Sequence, residues 1–169
     1  MSDFGVREGE QTLAEDPALA DGDARIVLIG RIVSPWTARE TCPKNMREAR
    51  ERGAPASVLV DPAYRPGLAG LERTSHLVIL SWLGRAPRNL IVQKPRHAPA
   101  ARGTFALRSP ARPNPVGLHV ARLLRLDVVT GRLDIDGIDV LDGTPVIDIK
   151  PYYASTDAIP DAVTGSASA

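Results

Sequence analysis

The chain has few of the residues on which several common chemistries depend. Its 169 residues include one cysteine and three histidines, and aromatic residues make up 4%. The single cysteine, Cys42, excludes an internal disulfide, and a partly buried structural thiol is favoured over a reactive one. The histidines, His76, His97 and His119, are too scattered to give a metal-binding spacing, so we expect no metal.

Long apolar runs are also missing. No run reaches the length of a membrane span, and the first residues lack the charged and then apolar pattern of a leader peptide. Hydrophobic residues make up 43% of the chain, which is enough for one core. We therefore expect a soluble, cytoplasmic protein with one domain at 25–154, a disordered or loosely attached acidic arm at 1–24, and a flexible tail at 155–169.

Acidic residues are absent from the middle of the chain. No Asp or Glu occurs between Glu72 and Asp127, where ten Arg and Lys residues occur, whereas residues 1–24 contain seven acids and one arginine. A basic segment suits a phosphate-bearing partner, because the guanidinium group matches phosphate oxygens and binding releases counterions. A solvated arginine-rich surface without a partner is the alternative.

Two familiar kinds of motif are missing as well. No glycine-rich loop lies between a strand and a helix with the spacing of a dinucleotide or phosphate site. Ser109 lies in Arg-Ser-Pro rather than in a nucleophile elbow, so a hydrolase triad has no support in the sequence.

Short segments rich in β-branched residues and bounded by turn residues predict strands. They are 25–33, 56–60, 76–83, 89–93, 103–107, 116–129, 132–135, 138–141 and 145–149. The longest apolar segment, 76–83, is predicted to be buried on both faces. One helix is predicted at 43–52, between Pro43 and Gly53. This pattern favours an all-β protein, an antiparallel β-barrel with one or two short helices.

The run from Gly103 to Leu118 is rich in proline. Pro110, Pro113 and Pro115 remove backbone donors and restrict φ, so most of this run is predicted to be a shaped loop. Loops on a rigid scaffold often carry binding residues. A plain surface turn is the other interpretation.

Carboxylates alternate with apolar residues near the end of the chain. Asp139, Asp142 and Asp148 need donors or cations beside them if they lie at the rim of a barrel. The expected partners are Arg108, Arg112 and Lys150. The pattern fits a structural ion network, or a polar pocket that holds a zwitterionic or ribose-bearing ligand.

Several motifs occur in order between residues 30 and 152. They are Gly30-x-Ile32-x-Ser34-Pro35-Trp36, Leu68-x-Gly70-Leu71, Ser75-His76-Leu77, Gly103-x-Phe105-Ala106-x-Arg108-Ser109, Arg112-Pro113-Asn114-Pro115-x-Gly117-Leu118 and Asp139-x-Leu141-Asp142-Gly143-Thr144-Pro145-x-x-Asp148-Ile149-Lys150-Pro151-Tyr152. This combination resembles the TsaA-like (TrmO, VirR) family.

The resemblance implies a homodimeric β-barrel that binds S-adenosylmethionine and methylates N6 of threonylcarbamoyladenosine at position 37 of tRNA. The implied cofactor-binding residues are Asn45, Met46, Arg47, Leu83, Gly84, Arg108, Leu118, Asp136, Gly137, Ile138 and Asp139. The substrate-binding candidates are Arg112, Asn114 and Lys150, and the catalytic candidates are Asp142, Asp148 and Tyr152.

Methyl transfer from a sulfonium requires positioning and a desolvated site, without a metal or a covalent nucleophile. The acceptor amine needs a base, and Asp139, Asp142 or Asp148 could serve; the sequence does not choose among them. Two other functions stay open: a non-catalytic nucleotide- or RNA-binding barrel, and a methyltransferase that acts on a small molecule.

Overall fold

The computed structural model describes residues 6–14, 25–95 and 98–163. The elements in chain order are β1 (Gln11–Thr12), β2 (Gly30–Val33), α1 (Met46–Arg52), β3 (Ala56–Val60), β4 (His76–Trp82), β5 (Leu90–Gln93), β6 (Arg102–Gly103), β7 (Val116–Asp127), β8 (Arg132–Ile135), β9 (Pro145–Pro151) and α2 (Ala154–Asp157). Short 3-10 helices occur at Pro62–Leu68, Leu71–Arg73 and Thr104–Ala106. The prediction of a mostly β, antiparallel protein with one or two short helices is confirmed.

Six strands form a closed barrel in the order β2-β3-β8-β7-β4-β9. Strand β9 pairs with β4 on one side and with β2 on the other, and every pair is antiparallel. The remaining strands form a smaller sheet in the order β1-β5-β6. Strand β7, with 12 residues, is the longest and crosses the whole barrel between β4 and β8.

The barrel interior is filled by alternate residues of each strand. In β4, Leu77, Ile79 and Ser81 are fully buried, whereas the residues between them are only half-buried. The prediction that this segment is buried on both faces is therefore wrong. An antiparallel sheet can leave one face partly open to water.

Helix α1 begins three residues later than predicted. Asn45 is its N-cap, and its side-chain oxygen accepts a hydrogen bond of 3.0 Å from the Glu48 amide. The helix ends at Arg52, as predicted, because Gly53 adopts a left-handed conformation with φ of 59°.

Two predicted strands are wrong because side chains take the hydrogen bonds that a strand needs. The segment 103–107 turns at Thr104–Ala106, where the Thr104 hydroxyl donates to the Leu90 carbonyl at 2.8 Å. The segment 138–141 is irregular, since the Trp36 indole donates to the Ile138 carbonyl at 2.8 Å and the Ser34 hydroxyl donates to the Val140 carbonyl at 3.0 Å.

The first predicted strand is shorter in the structure, because the β2 ladder begins only at Gly30. Residues 25–29 are irregular, although the Ile29 amide donates to the Val146 carbonyl at 2.9 Å.

Part of the acidic arm contacts the small sheet. Strand β1 pairs with β5, and Glu10 accepts hydrogen bonds from the Arg7 side chain and from the Lys94 amide at 2.9 Å. Chiefly because of the Arg7 hydrogen bond, the pKa of Glu10 is lowered from 4.5 to about 2. The rest of the arm, His97 and residues 164–169 lie outside the described residues, and the domain limits stay a prediction.

The described residues contain no helix that is long and apolar enough to cross a membrane. The same ranges contain no group of three or more His, Cys, Asp or Glu side chains that could hold a metal ion.

Candidate functional site

The proline-rich loop between Ala106 and Val116 is built around the Arg112 guanidinium. Its Nε donates to the Ser109 carbonyl at 2.9 Å, and its Nη2 donates to the Thr104 carbonyl at 3.2 Å and to the Leu107 carbonyl. Three carbonyls of a short segment thereby share one planar cation, which holds a backbone that the prolines keep from pairing as a strand.

Two neighbouring side chains fasten this loop to the sheets. Arg88 Nε donates to the Pro113 carbonyl at 2.6 Å, while its guanidinium lies 5.4 Å from the centre of the Trp82 ring. Gln93 is buried, and its amide donates to the Ala111 carbonyl at 2.5 Å. The shaped loop predicted from the sequence therefore has a defined position beside the end of β4 and β5.

The expected pairing of loop arginines with the late carboxylates is wrong. Arg112 uses backbone carbonyls, and Arg108 Nη2 donates to the Leu118 carbonyl at 3.3 Å. Of the expected cations, Lys150 does pair with a carboxylate, with its Nζ 2.6 Å from Asp148 Oδ2. Backbone carbonyls of the 3-10 turn, the loop and β7 satisfy the arginines without a carboxylate.

The start of β7 lies against the end of β4. Gly117 is opposite Ser81 and Leu118 is opposite Leu80, and the Leu83 amide donates to the Pro115 carbonyl at 2.8 Å. The predicted cofactor residues Leu83, Arg108 and Leu118 are thus brought together, with Gly84 following Leu83 directly.

The segment Asp136-Gly137-Ile138-Asp139, which follows β8, lies against β7 and α1. Asp136 accepts hydrogen bonds from the Arg122 amide at 2.9 Å and from Arg50 Nε at 3.1 Å. Gly137 packs so closely on α1 that an added methyl carbon would lie 3.2 Å from the Ala49 carbonyl carbon and oxygen. This contact favours glycine, because the backbone of a helix cannot move aside cheaply.

Buried polar side chains connect this segment to β7 and β4. His119 Nδ1 donates to Asp139 Oδ1 at 2.7 Å, and Ser81 Oγ lies 2.8 Å from His119 Nε2. Sequence reasoning missed this row, because its members are far apart in the chain. The alternation of side chains along β7 gave a usable signal. Gly117, His119 and Ala121 are alternate residues of this strand, and all three face the barrel interior.

The three predicted cofactor residues at α1 differ in what they contact. Asn45 is engaged as the helix cap, and Met46 packs on the core. Arg47 is on the solvent face of the helix, 86% exposed and 3.5 Å from Glu51. Met46 is therefore the one of the three whose side chain faces the barrel.

The catalytic candidates lie on the other side of β4, at β9 and its two ends. Asp148 is opposite Leu80, on the outer face, with 41% of its side chain exposed. The Tyr152 amide donates to the His76 carbonyl at 2.9 Å, and Asp142 accepts from the Ser34 amide at 3.0 Å. Asn114, on the proline-rich loop, is exposed, and its carbonyl accepts from the Val116 amide.

The Cys42 thiol lies near enough to the Asp139 carboxylate for that charge to affect its pKa. Burial, with the Asp139 carboxylate second, raises the pKa of the thiol to about 11. At neutral pH the thiol is protonated, which fits a structural cysteine rather than a nucleophile.

A surface depression of about 370 Å³ lies apart from the residues described above, at β3, β7 and β8. It is lined by Leu59, Arg125, Asp127, Thr130, Arg132 and Asp134, and none of the predicted site residues lines it.

Comparison with known proteins gives a consistent result. The model of the tRNA-methyltransferase O N-terminal domain matches residues 31–158. A probable S-adenosyl-L-methionine-binding protein of Methanothermobacter thermautotrophicus is 40% identical over 141 residues, which cover 83% of this chain and 98% of the archaeal protein. The tRNA (adenine(37)-N6)-methyltransferase of Mus musculus is 35% identical over 84% of this chain.

Solved structures agree with the sequence relatives. The crystal structure of TrmO from Pseudomonas aeruginosa superposes with a TM-score of 0.68 at 33% identity, over 87% of this chain. This chain covers 64% of that solved chain and 34% of the mouse protein, so it spans only part of their length. From the match over most of its residues, the chain belongs to the TrmO/TsaA-like family.

Proposed function

We propose that this protein is an S-adenosylmethionine-dependent methyltransferase that acts on N6 of adenine 37 in tRNA. The single observation that carries the proposal is the family match over residues 31–158. Relatives named as S-adenosyl-L-methionine-binding proteins and as tRNA (adenine(37)-N6)-methyltransferases support the cofactor and the reaction.

The proposed cofactor site lies around the first half of β7. Leu83 and Leu118 supply apolar surface next to Arg108, and the segment from Asp136 to Asp139 supplies carboxylates. S-adenosylmethionine has a sulfonium and an ammonium group as well as ribose hydroxyls, and carboxylates suit all three. Apolar walls exclude water from the methyl group during an in-line displacement.

The proposed RNA surface is the basic middle of the chain. Among the described residues, no Arg or Lys between Glu72 and Asp127 takes part in a salt bridge. Arg73, Arg85 and Arg108 are exposed. Exposed cations that form no salt bridge are available to phosphates, which supports a nucleic-acid partner over a small metabolite.

The finer proposal is that the adenine already has a threonylcarbamoyl group. That group has a carboxylate, which needs a cation, and Lys150 Nζ lies on the outer face of β9 with its side chain 61% exposed. Asn114 and Arg112, on the proline-rich loop, would form another side of the same substrate site. Asp148, Tyr152 and Asp142 stay the proposed catalytic candidates; Asp142 and Tyr152 flank opposite ends of β9, so the three are alternatives for the base and not one group.

The assembly and the domain limits belong to the same proposal. We take 25–154 as the catalytic domain, and the enzyme as a homodimer that works where tRNA is modified, in the cytoplasm. Sedimentation of the purified chain tests the dimer directly.

Transfer of label from S-adenosylmethionine to tRNA tests the reaction. The protein is incubated with labelled cofactor and two tRNA pools, one with threonylcarbamoyladenosine at position 37 and one with unmodified adenosine there. Label in N6-methylated threonylcarbamoyladenosine, identified by nucleoside mass spectrometry, supports the full proposal. Label only in the unmodified pool would keep the methyltransferase and remove the threonylcarbamoyl substrate.

The same experiment separates the other two functions. Cofactor that is retained but never transferred would indicate a non-catalytic binding barrel. Label that appears in a small molecule of a cell extract, and not in tRNA, would indicate a metabolite methyltransferase. Asp148→Asn and Arg132→Gln make a pair of variants, because both disturb a surface ion pair but only Asp148 is in the proposed site.

A further inference from the structure

A continuous row of hydrogen bonds, Ser81–His119–Asp139, crosses one part of the barrel interior. Ser81 is 0% exposed and His119 is 4% exposed, whereas the side chain of Asp139 is 18% exposed. The row therefore runs from the dry interior to a carboxylate that meets solvent. Ser81 and His119 have no part in the proposed function as described so far.

The chemistry of the three groups gives the row a direction. A carboxylate only accepts, so His119 Nδ1 carries a hydrogen and donates it to Asp139 Oδ1. In the neutral ring Nε2 is then an acceptor, and the Ser81 hydroxyl donates to it. Each polar atom of the imidazole thus has one partner, which defines both the tautomer and the ring plane.

The order serine, histidine, aspartate is that of a hydrolase triad, but the geometry excludes acyl transfer. Ser81 has no solvent exposure, and its strand, β4, is paired on one side with β7 and on the other with β9. A substrate carbonyl cannot reach Oγ without opening the barrel. The row therefore acts through Asp139, the residue at its solvent-exposed end.

The surroundings hold the imidazole rigidly. Gly117 packs on it so closely that a methyl carbon there would lie 2.6 Å from Nε2, and the register of β4 against β9 shifts between Leu80 and Ser81, beside the hydroxyl. A ring with two hydrogen bonds and no free space has one orientation. Its Nδ1 consequently defines where Asp139 Oδ1 lies.

We propose that His119 is a positioning residue that orients the Asp139 carboxylate toward S-adenosylmethionine. The described hydrogen bond of the Asp139 side chain uses Oδ1 and the side chain is 18% exposed, so we take Oδ2 as the atom that accepts from an ammonium or hydroxyl group of the cofactor. This inference rests on the proposed function, because it requires the cofactor to bind next to Asp139. It adds a residue, His119, and an indirect role for Ser81.

Two amide variants of His119 separate its two hydrogen bonds. In His119→Asn the side-chain amide occupies roughly the position of Nδ1, so the hydrogen bond to Asp139 can be kept. In His119→Gln the amide extends to roughly the position of Nε2, so the contact with Ser81 can be kept instead. His119→Asn leaves the buried Ser81 hydroxyl without its hydrogen bond and His119→Gln leaves the Asp139 carboxylate without it, and both variants therefore lose stability.

Calorimetric titration with S-adenosylmethionine and urea unfolding are measured on the wild-type chain and both variants. His119→Asn is expected to bind within about threefold of wild type, and His119→Gln at least about tenfold more weakly, since hydrogen bonds to charged groups are the stronger class. Leu133→Val, a change in the buried core of β8, should lower stability without changing affinity.

The outcomes distinguish the two levels of the proposal. If the wild-type chain does not bind the cofactor, the proposed function fails and the inference fails with it. If it binds, but the two variants have equal affinity or lose affinity in proportion to their stability, His119 is only structural and the inference alone is overturned.

Discussion

Replacing Gly117 with alanine tests how closely β7 packs against β4. The new methyl carbon would lie 2.4 Å from Ser81 Oγ, 2.6 Å from His119 Nε2 and 3.2 Å from His119 Cε1. Neither neighbour can swing into solvent, because Ser81 is 0% and His119 4% exposed. Overpacking of this kind costs about 1–3 kcal/mol, and the displaced hydrogen bond adds about 1 kcal/mol.

We therefore expect Gly117→Ala to lower the free energy of unfolding by about 2–4 kcal/mol. With a urea m-value near 2 kcal/mol/M, the midpoint of unfolding falls by about 1–2 M while m stays unchanged. Gly103→Ala is the matched control, since φ there is −58° and no atom lies within 4 Å of the added carbon. It should change stability by less than about 0.5 kcal/mol.

A double variant makes the test specific to the steric contact. Ser81→Ala removes the nearest atom, so Gly117→Ala combined with Ser81→Ala should be less destabilised than the two single losses added together, by about 1 kcal/mol or more. Additive losses, or a Gly117→Ala protein as stable as the Gly103→Ala control, would refute the packing described for this position.

Three further measurements address the arm, the cofactor and the RNA. Arg108→Ala should weaken S-adenosylmethionine binding in calorimetry, because its guanidinium lies at the Leu118 carbonyl; unchanged affinity would remove Arg108 from the site. Affinity for tRNA should fall steeply with salt, each neutralised phosphate contributing about −0.7 to −0.9 to the log–log slope, and a flat response would discard the basic surface. The pKa of Glu10 is lowered in the folded state from 4.5 to about 2, so its contribution to holding β1 is complete above pH 4.5 and is lost as pH falls toward 2. Hydrogen exchange at the Leu13 amide, which donates to the Asn89 carbonyl, should therefore lose protection over this interval in wild type but not in Glu10→Gln, which lacks the ionised group at every pH.

The strand predictions succeeded where local pattern and register agree. The segments 56–60 and 132–135 were predicted with the bounds that the structure has, because short runs containing β-branched and apolar residues are bounded there by turn residues. The prediction failed at 138–141, where the pattern is equally apolar. There the carbonyls of Ile138 and Val140 are taken by Trp36 and Ser34, more than a hundred residues earlier in the chain.

The candidate site was predictable in part for the same reason. Motif residues identified the family, because a motif is a property of neighbouring positions, whereas the cofactor residues implied by the resemblance stay a prediction. The expected partners of Asp139 were Arg108, Arg112 and Lys150, since opposite charges attract; its partner in the structure is His119. That pairing depends on which faces of β7 and of the segment after β8 meet once the barrel closes.

By itself, the sequence determined the mostly β class, the ends of its best strands, the stiffness of the proline-rich loop and the basic character of the middle segment. These are consequences of periodicity, of proline and glycine geometry, and of charge, all of which act over a few residues. Only the tertiary structure decided that Ser81, His119 and Asp139 form one row and that Arg112 holds its own loop. Those contacts arise from strand order and register, which bring together atoms that no local pattern connects.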